Sequence, residues 1–239
     1  MIELKTKLTG VIQRTPTVKS FRFEAEDDVE FKAGQYFLLT IDVNGEKRTK
    51  PFSFSNSPTE KGYIEFTKRL TESPFSNALT NLKVGDTARL KLPYGTFTLK
   101  DQDERIVFLS GGVGITPIRS ICKYVDDSGA PTDITLIYSN RSPGDIIFRE
   151  DFDKMDRSPD NNIRVIYTFT SDAKDIAKED KCRIGHIDER MIKADVPDYN
   201  ERVFYVCGPP KMVEYMCEIL KDKLGITGDK IRLENFAGY

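Results

Sequence analysis

Histidine and cysteine are scarce in this 239-residue chain, and their scarcity excludes several kinds of catalytic site. The chain has one histidine, His186, which rules out a histidine-rich metal centre. Any Ser-His-Asp triad would have to be built around this residue. The simpler interpretation is a histidine in a loop or at the start of a helix. The four cysteines include no Cys-x-x-Cys pair, so they suit neither a zinc site, nor an iron–sulfur cluster, nor a disulfide framework. We therefore expect no metal, and we expect any chemistry to come from a bound organic cofactor.

The chain also lacks an excess of charge and a long apolar run. Lysine and arginine total 36 against 38 aspartate and glutamate, which argues against a nucleic-acid-binding protein. No apolar run approaches the roughly 18 residues that a membrane span needs. The first ten residues place charges among apolar side chains and contain no signal-peptide core. These features predict a soluble, cytoplasmic protein without a membrane span.

The first 99 residues have the pattern of an all-β domain. Short alternating or β-branched runs are separated by turn signals, of which Asn44-Gly45 is the strongest hairpin signal. We predict an antiparallel β-barrel of Greek-key type over residues 1–99. One segment, Ser76–Leu82, has helical spacing instead. The predicted strands are Leu4–Gln13, Thr17–Glu24, Tyr36–Val43, Pro51–Ser55, Tyr63–Lys68 and Ala88–Leu92.

From residue 100 onwards, compact apolar runs alternate with helical patterns. This alternation predicts an α/β domain over residues 100–239, with a five-stranded parallel sheet of the doubly wound type. The predicted strands are Ile106–Ser110, Ile134–Tyr138, Ile163–Thr168, Val203–Cys207 and Ile231–Asn235. Helices are predicted over Ile118–Val125 and Lys211–Leu220.

A glycine-rich turn follows the first of these parallel strands. Gly111, Gly112 and Gly114 lie between a predicted strand and a predicted helix, where backbone N–H groups and the helix dipole favour a diphosphate. The third glycine of the Rossmann fingerprint is replaced by Pro117, which argues against the usual dehydrogenase. A tight connection between strand and helix, without any ligand, is the alternative interpretation.

Three further motifs give the chain a resemblance to a known family. They are Lys50–Ser55 in the first half, Cys207–Pro210 after the fourth parallel strand, and Glu234–Tyr239 at the end. With the glycine turn, and in this order, they resemble the ferredoxin–NADP reductase family over essentially the whole chain. Phe31–Tyr36 and Pro93–Phe97 are also similar to family segments. The resemblance implies a barrel that binds FAD, followed by a domain that binds NADPH or NADH.

The resemblance also implies the flavin-binding residues. The family's Arg-x-Tyr-Ser motif matches Lys50, Phe52 and Ser53, so Ser53 is expected to hydrogen-bond the flavin near N5 and Phe52 to lie against its ring. Lys50 is expected to bring a point charge to the pyrophosphate, a role that Arg48 could take instead. In a second segment, Ser76 is expected to bind the diphosphate at a helix start, or else to act as the N-cap, and this helix favours FAD over FMN. The remaining implied contacts of the flavin are Pro51, Thr67, Lys68 and Asn77.

For the nicotinamide nucleotide, the resemblance implies that the turn holds the diphosphate and that Thr116 and Cys207 flank the nicotinamide. Ser139 and Arg141, at the end of the second parallel strand, favour NADPH slightly over NADH. Phe236 or Tyr239 would cover the flavin ring until the nucleotide arrives. The predicted catalytic residues are Ser53, Thr116, Cys207, Glu234 and Phe236. The predicted nucleotide contacts also include Gly111, Gly112, Val113, Gly114, Pro117, Gly208 and Pro209.

We therefore expect a flavin-dependent NAD(P)H oxidoreductase. Hydride would pass from NAD(P)H to FAD, and electrons would then pass to a separate acceptor. That acceptor could be a ferredoxin, a flavodoxin, an oxygenase component or a small oxidant. A non-catalytic flavin- or nucleotide-binding subunit of a larger complex is the alternative, motivated by the altered residues Lys50 and Phe52. A two-domain scaffold without a cofactor is a third hypothesis, which leaves the glycine turns unexplained.

Overall fold

A computed structural model describes residues 1–159, 162–171 and 182–236. The chain divides into two compact units. The first, the β unit, comprises residues 1–99 together with 116–124. The second, the α/β unit, comprises residues 100–115 together with 125–239. The helix that carries residues 116–124 therefore contributes to the β unit, although it follows residue 100 in the sequence.

The β unit contains a six-stranded antiparallel sheet in the order β4-β3-β6-β1-β2-β5. The hairpin between β3 and β4 turns at Asn44 and Gly45, whose φ angles of 56° and 86° are those of a type I′ turn. Strand β6 joins this hairpin to the hairpin of β1 and β2, which is a Greek-key connection. The strands are β1 (Ile2–Thr15), β2 (Val18–Glu24), β3 (Tyr36–Val43), β4 (Glu46–Ser53), β5 (Tyr63–Arg69) and β6 (Thr87–Tyr94).

Alternation of buried and exposed side chains along these strands builds the core of the β unit. The core contains several phenylalanines, of which Phe21 and Phe66 stack with 5.1 Å between ring centroids. The short helix α1 (Pro74–Asn81) adds Phe75 and Leu79 to the same core. Strand β4 differs from the others, because its first five residues are polar and exposed.

A buried carboxylate also stabilises the β unit. Glu65 is only 1% exposed, and it accepts hydrogen bonds from Arg14 at 3.2 Å, from Arg22 at 2.7 Å and from the Ser55 hydroxyl at 2.8 Å. A buried charge is tolerated only when it is paired and hydrogen-bonded in this way. Glu65 therefore links strands β1, β2 and β5 to the segment that follows β4.

The α/β unit contains a parallel sheet in the order β10-β9-β8-β7-β11-β12. It has six strands in the described part of the chain, one more than predicted. The additional strand, β10, has only three residues and carries no apolar run. The strands are β7 (Arg105–Gly111), β8 (Asp133–Asn140), β9 (Ile163–Phe169), β10 (Cys182–Ile184), β11 (Val203–Gly208) and β12 (Ile231–Asn235).

In the described ranges, four α-helices accompany these strands. They are α2 (Ile115–Ser128), α3 (Arg149–Arg157), α4 (Glu189–Asp195) and α5 (Pro210–Glu218), the last of which continues as a π-helical turn to Lys223. Apolar residues of β7, β8 and β11 pack with α5 in the main core of this unit. The strand order changes direction at β7, since β8 lies on one side of it and β11 on the other. The carboxyl ends of these strands are where open α/β sheets bind ligands.

The predicted fold class is confirmed by these two sheets. His186 lies exposed in the loop before α4, as predicted from its sequence context. No helix in the described ranges combines the length and the hydropathy needed to cross a bilayer.

Candidate flavin and nucleotide sites

The end of strand β4 carries the flavin motif. Ser53 is buried and pairs with Tyr36 across the β3–β4 hairpin, whereas Lys50 and Pro51 are exposed. The Phe52 ring is half-buried, with its centroid 4.3 Å from that of Phe66. Packing against the core therefore fixes one side of the Phe52 ring before any cofactor binds.

Two lysines beside this motif have no carboxylate partner. Lys68 is half-buried on β5, and neither it nor Lys50 forms an ion pair with a described residue. Burial lowers the pKa of Lys68, and the positive charge of Lys50 lowers it further. Arg48, by contrast, is paired with Glu46. An anion bound beside Lys50 and Lys68 would compensate their two positive charges, which no described residue pairs with. The two lysines therefore fit a diphosphate.

The start of helix α1 differs from the prediction. The N-cap is Ser73, not Ser76, and the Ser73 side chain accepts a hydrogen bond from the Ser76 N–H at 3.3 Å. The Ser76 hydroxyl is fully buried and lies 3.1 Å from that of Thr71. Asn77 is exposed, and its N–H donates to the Ser73 carbonyl at 2.9 Å. Pro74 explains the difference, since proline favours the first helical position and the cap then precedes it.

In the α/β unit, the two glycine-containing turns meet backbone to backbone. A Cβ placed on Gly114 would lie 2.5 Å from the carbonyl oxygen of Cys207 and 2.6 Å from the Cα of Gly208. Gly112 has a φ of 54°, a conformation that glycine adopts at little cost. Its carbonyl accepts a hydrogen bond from the Tyr138 hydroxyl at 2.9 Å, which ties the turn to β8. Glycine is thus required here by space and by backbone conformation.

Cys207 is a buried residue near the end of β11, just before the second turn. It pairs with Ser110 of β7 and with Glu234 of β12 in the parallel sheet. Complete burial raises the pKa of its thiol well above the usual value, and the charge of Glu234 raises it further. Burial also raises the pKa of Glu234. A neutral thiol offers a small, unreactive surface rather than a nucleophile.

The closing segment follows β12. The Phe236 N–H donates to the Gly208 carbonyl at 3.2 Å, which joins this segment to the second turn, and the Phe236 side chain is half-buried. Pro209 is exposed, whereas Val113, Thr116 and Pro117 are buried. Tyr239, the other predicted cover for the flavin ring, lies outside the described residues.

Polar groups at the ends of β7 and β8 are buried without a hydrogen-bond partner among the described residues. They are the Ser110 hydroxyl and both side-chain amide atoms of Asn140. Burial of an unpaired polar group is costly, so such groups mark a place where a ligand or water is expected. Asn140 lies between Ser139, which is half-buried, and Arg141, which is exposed. Ser139 and Arg141 were predicted as nucleotide contacts and Asn140 was not, although all three belong to one short polar segment.

Comparison with known proteins defines the class of the chain. Residues 5–99 match the oxidoreductase FAD-binding domain and residues 108–218 match the oxidoreductase NAD-binding domain. The glycine betaine monooxygenase reductase subunit of Chromohalobacter salexigens is 33% identical over 217 residues, which cover 88% of this chain and 58% of that protein. This chain therefore spans little more than half the length of that relative.

Solved structures give the same fold. The FAD/NAD-binding domain of nitric oxide dioxygenase from Vibrio cholerae superposes with a TM-score of 0.84 at 20% identity, covering 97% of this chain and 98% of that one. A ferredoxin NADP⁺ reductase from Neisseria gonorrhoeae superposes with a TM-score of 0.81 at 22% identity, and 98% of each chain is covered. At these identities the likeness shows the fold alone.

An FAD-binding domain followed by an NAD-binding domain defines a flavoprotein oxidoreductase. The chain belongs to the ferredoxin–NADP reductase family, as its motifs predicted.

Proposed function

We propose that this chain transfers hydride from NAD(P)H to FAD and then passes electrons to a separate acceptor. Bound FAD would supply the chemistry, because a flavin accepts two electrons as hydride and releases them singly. The proposal rests mainly on the positions of four side chains that have no ion-pair or hydrogen-bond partner among the described residues. Lys50 and Lys68 lie beside the flavin motif, and Ser110 and Asn140 lie at strand ends where nucleotides bind.

Each unit would hold its own cofactor. In the β unit, Ser53 would hydrogen-bond the flavin, and Lys50 and Lys68 would bind its diphosphate. In the α/β unit, the glycine turn would hold the diphosphate of the nucleotide, with Cys207 against the nicotinamide. Hydride transfer depends on close approach and orientation more than on an acid or base. A neutral Cys207 and a chain with one histidine are therefore compatible with catalysis.

The nucleotide that we propose is NADPH. Ser139 and Arg141, at the end of β8, offer a hydroxyl and a positive charge suited to a 2′-phosphate. For the acceptor we propose the oxygenase component of a two-component system, because the relative from Chromohalobacter salexigens is a monooxygenase reductase subunit. The cytoplasm supplies NAD(P)H, and the proposal places the reaction there.

An anaerobic absorption spectrum tests the proposed function. The purified protein is expected to show the bands of an oxidised flavin, which bleach on addition of NADPH and more slowly with NADH. Flavin bands that neither nucleotide bleaches would favour a non-catalytic binding subunit. A colourless protein that cannot be reconstituted with FAD would remove the flavoenzyme assignment for this chain.

Substitution of the two lysines tests the diphosphate site. Lys68→Gln and Lys50→Gln are each expected to weaken FAD binding by at least about tenfold, since a hydrogen bond to a charged group contributes about 1.5–3 kcal/mol. Lys68→Gln should have the larger effect, because Lys68 is half-buried and Lys50 is exposed. The measurement is FAD titration of the apoprotein by fluorescence quenching at low and high salt.

Lys91→Gln is the matched control for these variants. Lys91 is also an exposed strand lysine of the β unit, but it lies on β6 opposite Glu3 and Leu38. Its substitution should leave FAD affinity within about twofold, as surface changes usually do. If all three lysine variants bind FAD equally well, the diphosphate is held elsewhere.

A further inference from the structure

The first turns of helix α2 carry two polar residues that the proposed reaction does not use. Arg119 and Ser120 follow Thr116 by three and four positions, so the three side chains share one helix face. Arg119 is 6% exposed and Ser120 is fully buried. All three belong to the β unit, together with the flavin motif.

These two residues bind the segment that begins two positions after Ser53. Arg119 forms a bidentate ion pair with Glu60, in which its Nη2 lies 3.1 Å from Oε1, and it donates to the Ser55 carbonyl at 3.0 Å. The Ser120 hydroxyl donates to the Asn56 carbonyl at 2.7 Å. Three bonding partners over six residues thus attach the helix to this segment.

The segment itself is held firmly. Glu60 also accepts hydrogen bonds from the Ser57 N–H at 2.7 Å and from the Tyr63 hydroxyl at 3.1 Å. The pKa of the Glu60 carboxyl lies below its usual value, since Arg119 and these donors outweigh the opposing effect of burial. The Asn56 side chain donates to the Tyr63 carbonyl at 3.0 Å and accepts from the Glu65 N–H at 2.9 Å.

Stability alone does not account for a buried ion pair in this place. Removing two charges from water is costly, and apolar residues of similar size often replace such pairs without loss of stability. A bidentate arginine pair instead fixes a direction, because its donors form a planar fork. The arrangement therefore suits a role in holding one residue in place relative to another.

We propose that Arg119 and Ser120 are positioning residues that fix the position of Thr116 relative to Ser53. This inference rests on the proposed function, in which Ser53 contacts the flavin, and on the role that the family resemblance implies for Thr116, which is to flank the nicotinamide. In that reaction the C4–H bond of the reduced nicotinamide breaks, and the hydrogen moves with both electrons to the flavin, where an N–H bond forms. The two residues set how often the reacting atoms reach the required approach of about 3–3.5 Å.

The test compares Arg119→Gln, Arg119→Lys and Ser120→Ala by anaerobic stopped flow. At saturating NADPH, flavin reduction is expected to slow at least tenfold in Arg119→Gln and about threefold in Ser120→Ala. Arg119→Lys should recover part of the lost rate, because it keeps the charge. Reduction by dithionite, which needs no nucleotide, should be unchanged, and so should the FAD content.

Arg202→Lys is the matched control. Arg202 is also buried and forms a bidentate pair, with Asp133 at 2.8 Å and 2.9 Å, but it lies at the amino-terminal end of the sheet in the α/β unit. Its substitution should lower the thermal midpoint about as much as Arg119→Lys does, while the rate with NADPH stays within twofold. The inference requires this difference between the two arginines.

Three results would overturn the inference. They are a rate with NADPH equal to that of the wild type in all variants, a rate that falls in parallel with dithionite reduction, and an equal fall of the rate in Arg202→Lys. If the Arg119 variants do not fold, Ser120→Ala decides, since it removes one hydroxyl only. Failure of the proposed function is distinguishable, because the wild-type flavin would then not respond to NADPH at all, and the inference would fall with it.

Discussion

Gly114→Ala is expected to abolish efficient reduction by NAD(P)H while FAD stays bound. The added Cβ would lie 2.5 Å from the Cys207 carbonyl oxygen and 2.6 Å from the Gly208 Cα, and both of these are backbone atoms. Gly114 has a φ of −59°, which any residue adopts, so the strain comes from lack of space alone. One of the two turns must therefore move, and a misplacement of about 1 Å can cost a factor of about 100 in rate.

The measurement is kcat/KM with NADPH, beside FAD content and the thermal midpoint. Gly228→Ala is the control in the same unit. A Cβ placed on Gly228 would meet no atom within 4 Å. Gly111→Ala should lie between them, since its Cβ would meet the flexible side chain of Met212 rather than backbone. A Gly114→Ala enzyme with normal kcat/KM would contradict the requirement for glycine at this position.

The strands were predictable because their signal is local. Tyr36–Val43 and Ile231–Asn235 have the predicted bounds, and in Tyr36–Val43 the apolar residues extend from one end of the strand to the other. Strand β4 was predicted only at its apolar end, since Glu46–Lys50 is polar and is held by pairing with β3 instead. Strand β10 was missed because three residues without an apolar run carry no periodic signal.

The features of the candidate sites also divide into those with a local sequence signal and those without one. The glycine turn and the Cys207–Pro210 turn could be placed from sequence, because their position between strand and helix is a local property. The cap at Ser73 was missed by three positions, although Pro74 gave a usable signal. The pair of Arg119 with Glu60 joins residues 59 positions apart, and no local pattern predicts such a partner.

The second large effect is expected at Glu65, where Glu65→Gln should destabilise the β unit by about 3–5 kcal/mol. The substitution keeps the shape of the side chain but leaves Arg14, which is 18% exposed, without its carboxylate. At about 2–4 °C per kcal/mol, the thermal midpoint should fall by about 6–20 °C. Since Glu65 also accepts from the Ser55 hydroxyl, FAD should be released at lower temperature as well.

Two further variants distinguish the cost of leaving a buried charge unpaired from the cost of losing an ion pair as such. Glu46→Gln breaks the pair with Arg48, both of whose side chains are more than 60% exposed, and should change stability by less than about 1 kcal/mol. Arg14→Met combined with Glu65→Gln should cost less than the sum of the two single changes, because the less exposed of the two arginines is then gone. Additive losses would instead mean that Glu65 acts through its hydrogen bond to Ser55. In that case the substitutions would change FAD retention rather than the thermal midpoint of the apoprotein.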